Sequence, residues 1–89
     1  MEEVKKEVAT PSMEKKFSLL YVDDEPTNLR VFKANFRKYF NVHICTSPLE
    51  AIELLKREEV QIIVTDQRMP EMTGTQFLEK IVPNHPDAI

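Results

Sequence analysis

The chain has 89 residues, 42% of them hydrophobic and 30% charged, which fits one small globular domain and excludes a low-complexity segment. A formal net charge of -3, with no basic patch beyond short lysine pairs, argues against direct nucleic-acid binding. No run approaches the roughly 18 apolar residues of a membrane span, no apolar signal core opens the chain, and the lone Cys45 cannot form an internal disulfide, so the expected location is the cytoplasm.

Residues 1–16 are densely charged and broken by Thr10-Pro11-Ser12. Val4 and Val8 could mark one helical turn, but so short a helix is marginal in water, and a disordered N-terminal extension is expected. The domain is expected over residues 17–89. Phe17-Ser18-Leu19-Leu20-Tyr21-Val22 reads as a buried strand that ends in acid and a proline turn, Asp23-Asp24-Glu25-Pro26. From about Thr27 the period changes. Leu29, Phe32, Phe36 and Phe40 fall on one helical stripe, a spacing that marks core packing more often than a ligand site.

Asn41 punctuates, and Val42-His43-Ile44-Cys45 predicts a short strand in which the histidine and cysteine are packing residues. Ser47-Pro48-Leu49-Glu50 predicts a helix start, with Ser47 as cap and Glu50 reaching back to complete a capping box. Residues 60–65 form a β-branched run, again read as a buried strand, that ends at Asp66. A loop through Gly74 leads to a helix from about Thr75 carrying Phe77, Leu78, Ile81 and Val82, and Pro83 and Pro86 close it. Asp87-Ala88-Ile89 reads as the entry to another strand.

Three strand–helix repeats with short connections predict an α/β fold, a parallel sheet with right-handed crossovers and helices on both faces. If the first and third strands are neighbours, Asp23, Asp24 and Asp66 meet at the carboxyl edge of the sheet, where such folds place their chemistry. Acids after strands also occur as turn chemistry or helix N-terminal charge. Two such acidic strand ends in one repeating pattern favour a shared site. Carboxylates that close repel, so a proton or a hard divalent cation must offset them, and Mg²⁺ with a phosphate substrate suits the set.

These motifs resemble the receiver domains of two-component response regulators. The resemblance rests on Leu19-Leu20-Tyr21-Val22-Asp23-Asp24-Glu25-Pro26, Val64-Thr65-Asp66-Gln67-Arg68-Met69-Pro70 and Met72-Thr73-Gly74, and covers residues 17–89. It implies a flavodoxin-like three-layer α/β/α fold with strand order 2-1-3-4-5, a chemotaxis receiver being a standing example of that order. It also implies that Asp66 is the phospho-acceptor for a sensor histidine kinase or phosphotransfer protein. Asp24 would ligate Mg²⁺ directly, Asp23 would hold it through water, and Asp66 and the backbone carbonyl of Arg68 would complete the metal set. Met69-Pro70 would shape the turn, and Gly74 would fill a position needing permissive backbone angles. By the same resemblance the domain is a signalling module and not an enzyme, beyond self-catalysed phosphotransfer and dephosphorylation.

The family pattern has two further strands, with a hydroxyl residue after the fourth and a lysine after the fifth, and these 89 residues contain no counterpart. The chain therefore reads as a partial receiver, truncated after its third strand–helix unit. The far edge of residues 60–65 is expected to lack a partner, which invites homodimerisation through the exposed sheet edge. Two other functions stay open. One is an oligomeric binding or assembly module without productive phosphorylation. The other is a Mg²⁺-dependent phosphatase, disfavoured because Asp66-Gln67-Arg68 lacks a second acid two residues on to protonate a leaving group.

Overall fold

A computed structural model describes residues 16–85 and 89. Its elements run β1 (Ser18–Val22), α1 (Pro26–Phe36), β2 (Asn41–Cys45), α2 (Pro48–Leu55), β3 (Ile62–Thr65) and α3 (Gly74–Ile81), followed by a 3₁₀ turn at Val82–Asn84. The expectation for residues 1–16 falls outside the described residues except at Lys16, and Pro86, Asp87 and Ala88 lie outside them too.

The sheet is parallel with order β2-β1-β3. Val22 is level with Cys45 on one side and with Thr65 on the other, so the ends of β1 and β3 lie side by side. Alternation along β1 divides the core in two. Leu20 and Val22 join Cys45, Ala51, Leu55, Met69, Phe77 and Ile81 in one cluster, which sets α2 and α3 on that face. On the other face the Tyr21 ring packs on Phe32 of α1, with centroids 4.5 Å apart.

Several expectations need correction. β1 is the buried strand, with Leu19, Leu20 and Val22 all at 4% exposure or less, whereas every residue of β3 is only half-buried. A central strand is covered from both faces and both edges, and β3 lies at the side of this sheet. That outer side is nevertheless not bare: the Ile89 N–H donates to the Gln61 carbonyl at 2.8 Å and the Ile63 N–H to the Ile89 carbonyl at 2.7 Å. Helix α1 ends at Phe36, so Phe40 extends the aromatic stripe from a turn, 6.4 Å from the Phe36 ring.

Ser47 caps α2 by accepting from the Leu49 N–H at 3.1 Å, but Glu50 does not close a box; separately, the Ser47 hydroxyl donates to Glu71 at 3.2 Å. The capping box occurs at α3, between Thr73 and Gln76. Of the residues assigned to the buried face of α3, Phe77 and Ile81 are buried, while Leu78 and Val82 are exposed. The four-residue repeat of Phe77 and Ile81 alone meets the sheet.

Candidate functional site

Each acid is delivered by a strand end. β1 stops at Val22 because Asp23 turns the chain: its Oδ1 accepts from the Glu25 N–H two residues on, at 3.0 Å, an Asx-type turn. Pro26 then fits the first position of α1, where no backbone N–H is needed. β3 delivers Asp66, whose N–H donates to the Val22 carbonyl at 2.8 Å. That bond pins the end of β3 to the end of β1.

The loop after Asp66 is fastened to α3. The Gly74 N–H donates to the Gln67 carbonyl at 2.9 Å, and Gln67 Oε1 accepts from the Thr75 N–H at 2.9 Å and the Thr75 hydroxyl at 3.1 Å. Gly74 is therefore the first residue of α3 and not a loop residue with left-handed backbone angles. It must be glycine for a different reason: a Cβ there would sit 2.5 Å from the Asp66 carbonyl oxygen, inside van der Waals contact.

The result is a carboxylate trio. Asp23, Asp24 and Asp66 each present an oxygen within 4.8 Å of the others. Asp23 is 3% exposed, and Asp24 and Asp66 are half-buried. The three do not share donors equally. Asp23 Oδ2 accepts from the Tyr21 hydroxyl at 2.7 Å and from Asn28 Nδ2 at 3.1 Å, in addition to the Glu25 N–H on Oδ1. Among the described residues no N–H or O–H donor bonds to the carboxylate of Asp24 or Asp66. Burial by itself would raise the Asp23 pKa, but the Glu25, Tyr21 and Asn28 donors outweigh it and hold the carboxyl below its ordinary value of 3.8. The same contact pushes the Tyr21 phenol up to about 12, through burial, the bond to Asp23 and the charges of Asp23 and Asp66. Burial, with Glu50 nearby, likewise raises the pKa of Cys45, so the thiol is a packing residue.

Of the residues expected at the site, the three aspartates come together as read, and Arg68 lies exposed in the loop two residues beyond Asp66. Tyr21 and Asn28 were not singled out from the sequence. Their signals were present: Tyr21 is two residues before Asp23 on the same side of a strand, and Asn28 sits in the first turn of the helix that Asp23 introduces. The Thr73–Gln76 box was legible as well, as a threonine followed three residues later by glutamine.

The architecture and the acidic edge together define a receiver-type α/β domain, and comparison with known proteins agrees. The family model described as "Response regulator receiver domain" matches residues 19–89, so the chain belongs to that family. Over 76 residues it is 34% identical to the hydrogenase transcriptional regulatory protein HoxA of Cupriavidus necator, covering 85% of this chain and 16% of that one. An uncharacterised protein of known structure from Neptuniibacter caesariensis superposes with a TM-score of 0.78 at 40% identity, covering 81% of this chain and 54% of that one. The response regulator TrrA from Thermotoga maritima, solved with Mg²⁺-BeF, superposes with a TM-score of 0.75 at 22% identity, covering 81% of this chain and 64% of that one. The chain thus spans about half the length of the first of these solved structures and about one-sixth of HoxA.

Proposed function

We propose that this receiver domain takes a phosphoryl group onto Asp66 from the phosphohistidine of a sensor histidine kinase or phosphotransfer protein, with Mg²⁺ as cofactor. The observation that carries the reading is the convergence of Asp23, Asp24 and Asp66 to within 4.8 Å at the carboxyl edge of the sheet. A set of hard carboxylate oxygens, one of them kept ionised by protein donors, suits a small divalent cation. Asp24, Asp66, the Arg68 backbone carbonyl and, through water, Asp23 would hold it. Bound there, it would offset negative charge on the transferring phosphoryl group.

The chain's own part is the nucleophile. An ionised Asp66 carboxylate oxygen attacks phosphorus in line, forming a P–O bond as the P–N bond breaks. The electron pair leaves with the imidazole nitrogen, which regains a proton from solvent. The product is an acyl phosphate, and Asp66, without bonded donors among the described residues, is free to meet the incoming group.

Incubation with Mg²⁺ and acetyl phosphate, followed by mass spectrometry, tests this. A single hydroxylamine-labile phosphate is expected, lost in Asp66→Asn. No label on a folded, Mg²⁺-binding chain would instead support a binding or assembly module without productive phosphorylation. That second reading draws on the outer side of β3, which is half-buried along its length and meets Ile89 through two backbone hydrogen bonds among the described residues. Sedimentation velocity separates the two, since the assembly reading requires a dimer or larger species.

A further inference from the structure

Asp23 differs from its acidic neighbours in how its oxygens are used. A carboxylate has about four lone-pair sites, two on each oxygen. Tyr21 at 2.7 Å and Asn28 at 3.1 Å occupy both sites of Oδ2, and the Glu25 N–H at 3.0 Å takes one of Oδ1. Among the described residues no further N–H or O–H donor fills the second site of Oδ1. The donors are themselves held in place: Tyr21 by its ring against Phe32, 4.5 Å between centroids, and Asn28 by the first turn of α1.

We infer that Tyr21 and Asn28 are specificity-determining positioning residues which, by filling Oδ2 of Asp23, prevent its bidentate use and bias the acidic site toward Mg²⁺ over Ca²⁺. The inference rests on the cation reading above. Mg²⁺ demands near-octahedral single-oxygen contacts and keeps several of its waters, whereas Ca²⁺ takes more oxygens and accepts bidentate carboxylates readily. A carboxylate with one available oxygen can serve the first ion through one of its retained waters and handicaps the second, which gains by taking both oxygens directly. Neither residue need touch the ion; both act through Asp23.

Titration calorimetry with Mg²⁺ and, separately, Ca²⁺ tests this on the full chain, on Tyr21→Phe, on Asn28→Ala and on the double variant. Circular dichroism melts establish that each is folded, and Tyr21→Phe keeps the ring that packs on Phe32. In the double variant the Ca²⁺ affinity is expected to rise about tenfold relative to that for Mg²⁺, the scale set by losing charge-assisted hydrogen bonds. The single variants should fall between. An unchanged ratio overturns the inference. So does an equal gain for both ions, which a carboxylate made merely more basic would give. If Tyr21→Phe does not fold, Asn28→Ala decides by the same ratio. A parent chain that binds neither ion overturns the cation reading itself, whereas binding with an unchanged ratio overturns only the positioning role.

Discussion

Two carboxylates at the same edge of the same sheet have opposite surroundings. Asp23 ends the central strand, is 3% exposed, and has both oxygens engaged by donors from its own turn, its strand and α1. Asp66 ends β3 at the side of the sheet, is half-buried, and has its backbone fixed while its side chain is left without described donors. A buried charge must be paid in hydrogen bonds. The difference shows that one acidic cluster holds a carboxylate fixed by three donors beside one that has none among the described residues.

The comparison is broken most severely by removing each carboxylate in turn. Asp23→Ala orphans the Tyr21 hydroxyl, the Asn28 amide and the Glu25 N–H, and should cost about 3 kcal/mol in urea unfolding. Asp66→Asn removes a charge from a repelling trio and orphans no described donor, so the cation-free chain should unfold at the same or slightly higher urea. Equal losses for the two would erase the distinction.

Gly74→Ala attacks the Asp66 side through the backbone. Its Cβ would lie 2.5 Å from the Asp66 carbonyl, so α3 or the end of β3 must shift, at about 2 kcal/mol of stability. Acetyl phosphate labelling of Asp66 should fall with it, because the carboxylate moves relative to Asp24.

Acid gives a smaller, graded test. The folded Asp23 pKa lies below the ordinary value of 3.8, so its hydrogen bonds contribute stability that is fully present above that value. The contribution is lost as pH falls through the lower folded pKa. The melting difference between the parent and Asp23→Asn should therefore stay constant from about pH 7 to about pH 5 and shrink toward about pH 2. A difference that narrows already near neutrality would contradict the pairing. The smallest effect belongs to an exposed pair: Lys56 and Glu53 are bridged at 2.9 Å with both side chains about two-thirds exposed, and Lys56→Ala should change stability by less than about 0.5 kcal/mol.

Much of this was legible beforehand because it is local or periodic. The apolar runs before Asp23 and Asp66, the change of period after Pro26 and the Ser47-Pro48 helix start each reflect short-range sterics and hydrogen bonding, and they placed three strand–helix units correctly. The motif residues mark Asp23, Asp24 and Asp66 as strand-end acids, and their meeting follows from β1 pairing with β3. Errors arose where the answer depends on what lies across space. The Ser47 hydroxyl oxygen accepts from the Leu49 N–H, and no box forms with Glu50, while Leu78 and Val82 lie exposed beside the buried Phe77 and Ile81.

The sequence by itself thus determined the elements, the family and the three acids at strand ends, since patterning and motif spacing are properties of the chain. Only the tertiary structure decided which strand is buried, why Gly74 must be glycine, and how unequally the acids share donors. Those depend on neighbours brought together by β1 pairing with β3 and by α1 folding back over Tyr21, and lone-pair occupancy can be counted only once such neighbours are in place.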